Sequence, residues 1–322
     1  MPAIITHDLF AQGVIDDVRT ILPLSTADER DAFLLGSQGP DPLFFLVADP
    51  FMRRLASMGD TMHRSQPDRL LVSMSEGSAR LGGFEQRVAR AYVAGFVCHY
   101  LLDAAVHPFV YSWQYGLCDA GIDGLDATAG EKVHAEIERD LDEALLFARR
   151  GETVLTYRPF ERSLPGSAKV LRAMDKVYFY AALRTYGTAI DTMTFSMAVR
   201  AYRGVMGLLY APRDRRRLVI GSVERAITHS PYSLCRALSH HDRAEATSDF
   251  DNRAHARWTD PFTGETSVAS FRDLLDETAA RVVPAVGRVL SPGFDEAAAA
   301  LVTRGLNFLG EPASPDGDPD RR

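Results

Sequence analysis

Apolar side chains recur along most of this chain every three or four residues, which is the spacing of one face of an α-helix. Gly, Pro and Asp separate these stretches, and no stretch alternates apolar and polar residues over a useful length, as a half-buried strand would. The pattern therefore predicts an all-α protein. The predicted helices cover residues 7–22, 27–36, 43–57, 68–79, 84–107, 129–150, 167–186, 191–210, 213–226 and 270–289, with a short final helix near 294–308.

The segments between these helices predict where a pocket can form. Residues 36–42 and 111–130 are rich in Gly, Pro and Asp and are predicted loops. The stretch 228–269 is long, polar and poor in apolar periodicity, which is typical of a functional or a disordered segment. Within it, Trp258 either packs on apolar substrate or pins its loop to the core. We find no internal repeat and no clear linker, so a single domain is preferred, although a split near residue 160 stays possible.

The most apolar helix carries three polar side chains in one line. His99, Asp103 and His107 follow one another at intervals of four residues within residues 92–110, so they share one helix face. A helix that is apolar nearly all round is expected to be buried, and buried polar groups need strong partners. A divalent metal ion is such a partner because it binds imidazole and carboxylate together. The spacing thus predicts a metal site.

Further candidate ligands are scattered along the first half of the chain. His134 and Glu138 are four residues apart on one helix face, although such a pair is also common on a solvated helix. His7 opens the first helix, Asp41 lies in the 36–42 loop, and His63 lies in a short stretch between predicted helices. Taken singly, these three also suit a helix cap, an Asx-turn and an exposed loop.

Taken together, the candidates resemble a known family. The order His7, Asp41, His63, His99-x3-Asp103, His107, His134-x3-Glu138 resembles the bacterial zinc-dependent phospholipase C family, which is related in fold to the single-strand-specific P1-type nucleases. The match starts at Thr-His-Asp-Leu-Phe-Ala and ends at His-Ala-Glu-Ile-Glu, within residues 5–145.

The resemblance implies an all-α fold of the phospholipase C/P1 nuclease type with a cluster of two to three Zn²⁺ ions in a cleft. It implies a metal-ligand half over residues 1–150, a further helical half over 160–310 and a disordered tail over 311–322. The implied ligand sets for the three ions are Asp41, His63, His99 and Asp103; His107, His134 and Glu138; and His7 with a bridging Asp103. The implied chemistry is phosphodiester hydrolysis by a metal-activated water, which Asp41 orients or deprotonates.

Two departures from the family pattern limit these expectations. The secreted enzymes complete the third site with an N-terminal Trp, whereas Met1 and Pro2 stand at the start here. That site is expected to be absent, or completed by water or another side chain. His107 also lies closer to Asp103 than in the family and directly precedes Pro108. It is therefore expected in the last turn of its helix, where it can point to either metal.

Composition narrows the class of protein and its partners. The chain has 322 residues, 46% hydrophobic and 25% charged, as a soluble globular protein has. Its net charge of −7 argues against a general nucleic-acid or anionic-membrane binder without excluding a local basic cleft. Three scattered cysteines and an N-terminus without a signal-peptide pattern predict a cytoplasmic location. Polar residues inside the 92–110 run disfavour a transmembrane segment.

We therefore expect a zinc-dependent hydrolase acting on a small-molecule or lipid-derived phosphodiester. A non-catalytic, metal-stabilised helical binding protein is one alternative. A nuclease acting on single strands is another, which the acidic balance disfavours. An HD-type phosphohydrolase acting on nucleotides is a minor alternative, suggested by His7-Asp8 and His240-His241-Asp242. The oligomeric state stays open.

Overall fold

Helices make up most of the residues that the computed structural model describes, namely 3–122, 125–210, 219, 221–222, 224–225 and 232–313. The all-α prediction is confirmed. The α-helices are α1 (Ile4–Arg19), α2 (Ala27–Gly36), α3 (Ser57–Arg64), α4 (Pro67–Ala79), α5 (Gly83–Cys118), α6 (Gly130–Arg150), α7 (Val154–Tyr157), α8 (Pro159–Arg162), α9 (Ala168–Tyr186), α10 (Thr194–Leu209), α11 (Leu234–Ala237), α12 (Phe271–Val289) and α13 (Glu296–Thr303).

Short elements complete the described chain. The 3₁₀ helices are Asp41–Ala48, Arg53–Leu55 and Ala127–Ala129. Strands β1 (Trp258–Thr259) and β2 (Thr266–Ser267) pair antiparallel, with Trp258 opposite Ser267. Residues 311–313 of the predicted tail lie against the preceding turn, where the Asn307 N–H donates to the Glu311 carbonyl. The remainder of the tail and most of the predicted helix 213–226 lie outside the described residues.

Helix α5 is the centre of the core. It contacts α1, α2, α4, α6, α9 and α12, and its middle third is almost entirely buried. It is long and apolar enough to cross a membrane, yet 89% of its most apolar window is covered by the protein itself. Because its neighbours cover its middle, the polar groups His99, Asp103 and His107 lie inside the molecule.

Close packing of α2 on α5 brings the 36–42 segment to the site. A Cβ added at Gly95 would lie 2.0 Å from the Phe33 carbonyl oxygen, and one added at Gly36 would lie 2.1 Å from that of Tyr92. These distances are far below van der Waals contact, so the two backbones meet only because both positions are glycine. The chain leaving α2 therefore passes directly over the middle of α5.

Two predicted boundaries are wrong for identifiable reasons. The single helix predicted over 43–57 is instead two 3₁₀ helices separated at Asp49, which precedes Pro50 and is extended. Helix α5 does not stop at 107 but continues through Pro108 to Cys118, so the loop predicted over 111–130 begins later. An internal proline costs about 3 kcal/mol, and the complete burial of Phe109 and Val110 offsets that cost.

Candidate metal centre

The structure brings all eight candidate ligands together inside the protein. His7 lies in α1, Asp41 begins a 3₁₀ helix, and His63 lies in the last turn of α3 rather than between helices as predicted. The other five project from α5 and α6, and all eight are buried except His134, whose side chain is 12% exposed. The side chains form two adjoining groups. Group I is His7, Asp41, His63, His99 and Asp103; group II is His107, His134 and Glu138.

Group I is built around the two carboxylates. Asp103 Oδ1 is 3.1 Å from His7 Nε2, and Asp103 Oδ2 is 3.1 Å from His99 Nε2 and 3.6 Å from His63 Nε2. Asp41 Oδ1 lies 3.1 Å from His63 Nε2 and 3.8 Å from His99 Nε2. The two oxygens of Asp103 thus face different histidines, which is the arrangement a bridging carboxylate requires.

Group II joins α5 to α6. Glu138 Oε1 lies 3.3 Å from His134 Nε2 and 3.5 Å from His107 Nε2. His107 Nδ1 is 3.9 Å from Asp103 Oδ2, so the two groups are neighbours. Sequence alone left the direction of His107 open and placed it in the last turn of its helix. The structure places it mid-helix with Nε2 facing Glu138.

Hydrogen bonds at the far side of four imidazoles decide which nitrogen faces the centre. The Nδ1 atoms of His63, His99 and His107 lie 2.7–3.1 Å from the backbone carbonyls of residues 59, 37 and 308. His134 Nδ1 lies 2.9 Å from the side-chain oxygen of Gln114. These oxygens only accept hydrogen bonds, so each Nδ1 carries a proton, and each ring in its neutral form turns its Nε2 lone pair inward. Metal-binding histidines are oriented in this way.

The spacing of the inward atoms fits a shared cation. Two ligands at about 2.0–2.2 Å from a tetrahedral Zn²⁺ are separated by roughly 3.3–3.5 Å, and the nitrogen–oxygen pairs above span 3.1–3.9 Å. Without a cation, imidazole lone pairs would face carboxylate lone pairs in a buried space. In the described chain, His99 Nε2 and His7 Nδ1 are also buried with no hydrogen-bond partner. The residues therefore fit a bound metal.

Burial and mutual charge shift the titration of these groups. Burial opposes ionisation of the Asp103 carboxyl, but the neighbouring imidazoles overcome it and hold its pKa well below its ordinary value. The pKa of Glu138 also lies well below its ordinary value despite burial, with His134 and His107 contributing to the lowering. Burial dominates for His99 and His134, whose pKa is lowered. For His107 burial is outweighed by Asp103 and Glu138, which raise its pKa to about 9. The three carboxylates of the site are thus ionised and favour positive charge beside them.

Side chains that sequence reasoning missed hold the 36–42 segment in place. The hydroxyls of Tyr92 and Tyr178 both donate to the Gly39 carbonyl, at 3.1 and 2.9 Å. Gln38 Nε2 donates to the Ile4 carbonyl at 3.0 Å, which ties the same segment to α1. These bonds place Asp41 over α5. No local signal marks the two tyrosines because they read as ordinary apolar positions of α5 and α9.

A cleft of about 340 Å³ opens onto both groups. Its polar wall contains candidate ligands together with Arg64, Asp60 and Glu131, and its apolar wall contains Phe44, Tyr111, Leu234, Leu238 and Leu309. The 228–269 stretch therefore contributes to the cleft through α11. Trp258 does not line it; its Nε1 donates to the Ala269 carbonyl and its ring packs on Phe109, so it pins its loop to the core.

Two histidines behind the HD-type alternative, His240 and His241, have other partners, whereas His7 belongs to group I. His240 Nε2 lies 3.0 Å from the buried Asp142 carboxylate, and His241 contacts Glu143, so both attach their segment to α6. Asp8, the other acid of that alternative, accepts hydrogen bonds from Gln12 and Tyr157. The contacts of these residues hold helices together outside groups I and II.

Comparison of the chain with protein-family models, with curated proteins and with solved structures finds no match. What the site can do is therefore inferred from its own residues.

Proposed function

We propose that the protein is a zinc-dependent hydrolase of phosphodiesters, phospholipase C-like in its fold and in holding two to three zinc ions. One observation carries the proposal. Four buried imidazoles, a fifth that is 12% exposed and three buried carboxylates face one another at ligand spacing, beside a cleft that a substrate can enter. A structural zinc site is usually closed by four protein ligands, whereas a catalytic one keeps a position open.

The donor set supports zinc in particular. Imidazole nitrogen and carboxylate oxygen without thiolate suit a catalytic zinc site, while Mg²⁺ and Ca²⁺ prefer oxygen alone. Group II supplies three donors, as a catalytic zinc site does. Group I supplies five residues, more than one tetrahedral ion takes. Because Asp103 turns one oxygen to His7 and the other to His99, group I has the donors for two ions that share this carboxylate.

Zinc, when bound, polarises phosphoryl oxygens and lowers the pKa of a bound water to near neutrality. Asp41 lines the cleft and keeps a carboxylate at its floor, where it can orient or deprotonate the attacking water. The pKa of Asp41 is lowered: burial opposes this, and His99 and His63 outweigh it, so the carboxylate stays ionised and can accept a hydrogen bond from a water. The apolar wall excludes water from the reacting phosphate.

The cleft favours a small or lipid-derived phosphodiester over a nucleic acid. Arg64 is the single arginine or lysine among the described cleft residues, and its Nε donates to Asp60 at 2.8 Å. A groove for single strands uses several cations along the backbone and aromatic rings for the bases. The mainly aliphatic wall formed by Leu234, Leu238 and Leu309 suits an acyl or alkyl substituent.

Metal analysis beside a substrate panel tests the proposal. We expect two to three zinc ions per chain by mass spectrometry, and hydrolysis of bis-p-nitrophenyl phosphate or short-chain phosphatidylcholine in preference to a single-stranded oligonucleotide. Asp103→Ala should lose the group I ions and His134→Ala the group II ion. Each variant should lower turnover by more than about 100-fold. Loss of an outer-shell partner can already cost that much, and these variants remove a ligand itself. Asp276→Ala, an exposed acid of α12, is the control.

Each other outcome has a defined meaning. A wild-type protein with less than one metal, and an Asp103→Ala variant unchanged in folding and turnover, would overturn the metal site. Retained metal without turnover on any ester would replace the hydrolase with a metal-stabilised binding protein. Preferred cleavage of the oligonucleotide would replace it with a nuclease.

A further inference from the structure

The segment that follows Asp41 ends in an apolar tip that projects into solvent. Phe51 is 86% exposed and Val47 is 68% exposed, the two highest values for large apolar side chains in the described chain. Ala48 and Pro50, between them, are also exposed. Four exposed apolar positions within five residues, interrupted only by Asp49, are unusual for a segment that lies between two candidate ligands.

The tip is held in this shape rather than left loose. The Asp49 carboxylate accepts hydrogen bonds from the backbone N–H groups of Phe51 and Met52, at 2.9 and 3.1 Å. Phe44 before the tip and Leu55 after it pack against the core. The fold therefore fixes both ends of the tip and presents Phe51 outward.

Positive charge lies beside the apolar residues. Arg53 and Arg54 are both exposed, and neither guanidinium forms an ion pair with any residue in the part of the chain described. The overall charge of −7 does not cancel this local effect, because exposed charges more than about 8 Å apart are largely screened from one another at physiological salt. An apolar projection bordered by arginines is the chemistry of an interfacial membrane contact.

We propose that residues 47–54, the docking tip, bind the protein to an anionic lipid surface by inserting Val47 and Phe51 while Arg53 and Arg54 contact lipid phosphates. A second copy of the chain is a poorer occupant on grounds of area. A stable interface buries roughly 800 Å² per partner, whereas a phenylalanine supplies about 150–250 Å². A membrane needs only a few inserted side chains because the arginines add to the attraction.

The docking tip would bring the cleft to the lipid. Phe44, three residues before Val47, lines the cleft, and His63 follows in α3. Binding by the tip does not itself require metal or catalysis. The inference therefore stands apart from the proposed hydrolysis, and vesicle binding without a substrate assay tests it.

Sedimentation with sucrose-loaded vesicles is the measurement, with phosphatidylcholine alone and with added phosphatidylserine. We expect Phe51→Ser to lower the partition coefficient about tenfold. Removing both charges with Arg53→Gln and Arg54→Gln should abolish the preference for phosphatidylserine and its dependence on salt. Leu301→Ser is the matched control, since Leu301 on α13 is 66% exposed and large, and it should bind as the wild type does.

Three results would overturn the docking tip. The first is wild-type protein that fails to sediment with either vesicle. The second is equal binding by the Phe51→Ser and Leu301→Ser variants. The third is a concentration-dependent dimer that Phe51→Ser dissociates, which would identify a second copy as the occupant. His134→Ala should bind vesicles as well as the wild type even where it lacks turnover, which separates this proposal from the proposed function.

Discussion

The backbone carbonyl of Phe308 accepts a hydrogen bond from His107 Nδ1 at 2.8 Å, although 201 positions separate the two residues. The Phe308 N–H donates to the His63 carbonyl at 3.0 Å, and its buried ring packs within 6 Å of the rings of His63 and His99. One turn near the end of the chain thus orients ligands of both groups.

Truncating this ring should weaken both folding and the site. Phe308→Ala leaves a cavity among the histidines, and we expect it to lower the free energy of unfolding by about 3–5 kcal/mol. Urea denaturation in chelator isolates this packing loss from metal binding. Phe308→Leu should cost less because it fills most of the space. A loss no larger than that of Phe51→Ala, at an exposed position, would contradict the packing role.

Gln114 should tune the group II metal without touching it. Its oxygen accepts the His134 Nδ1 proton at 2.9 Å and so keeps Nε2 facing Glu138. We expect Gln114→Ala to lower the affinity for one zinc ion about 10–100-fold, measured by competition with a chromophoric chelator. Gln114→Glu keeps an oxygen acceptor and should retain affinity. Equal affinity in both variants would show that this hydrogen bond is irrelevant to the metal.

Gly39 should tolerate no side chain. Its φ of +50° is the left-handed conformation, and a Cβ there would lie 2.1 Å from Cδ2 of His99. Strain of about 1–2 kcal/mol adds to about 1–3 kcal/mol of overpacking, so Gly39→Ala should lose about 2–5 kcal/mol in denaturant titrations. Gly116→Ala is the control, because that glycine of α5 faces open space and alanine favours the helix. A Gly39→Ala variant with the same free energy of unfolding as the wild type would refute the close contact.

Asp142 should stabilise the start of α1 from another helix. α1 has no side-chain cap of its own, and the Asp142 carboxylate in α6 accepts from the backbone N–H groups of Ile5 and Thr6, at 3.1 and 2.8 Å. Asp142→Ala leaves these buried donors unpaired at about 1–3 kcal/mol each, which thermal unfolding would register. Asp142→Asn keeps one acceptor and should lose less. Equal losses of stability in the Asp142→Ala and Asp142→Asn variants would mean that these hydrogen bonds contribute nothing to stability.

The folding stability of the metal-free protein should depend on pH through the protonation of His107. Its folded pKa of about 9 exceeds the ordinary 6.5, so its proton stabilises the fold fully below pH 6.5 and progressively less as the pH rises through 9. In chelator, the stability difference between wild type and His107→Gln should therefore shrink by about 3 kcal/mol across that range. Zinc needs deprotonated ligands. In its presence, the stability difference between wild type and His107→Gln should therefore grow with pH. A difference independent of pH would contradict the charge assignment.

Local spacing accounts for much of the helical architecture. The predicted helices 27–36, 129–150 and 270–289 match α2, α6 and α12 to within a residue, because periodicity and capping act within a few turns. The same local geometry put His99, Asp103 and His107 on one face of α5. The boundary at 107 failed because packing between distant segments outweighed a local signal, so that α5 runs through Pro108. The predicted helix 43–57 failed for a local reason, because Asp49 precedes Pro50 and is extended.

The sequence by itself determined an all-α chain and the residue types able to hold a metal. Tertiary structure decided which atoms meet. The direction of His107, the bonds of Tyr92 and Tyr178 to Gly39, and the place of Phe308 follow from contacts between residues far apart in sequence. The reason is physical: helix periodicity is a property of neighbouring residues, whereas a ligand's orientation depends on hydrogen bonds and packing that exist only once the helices have assembled.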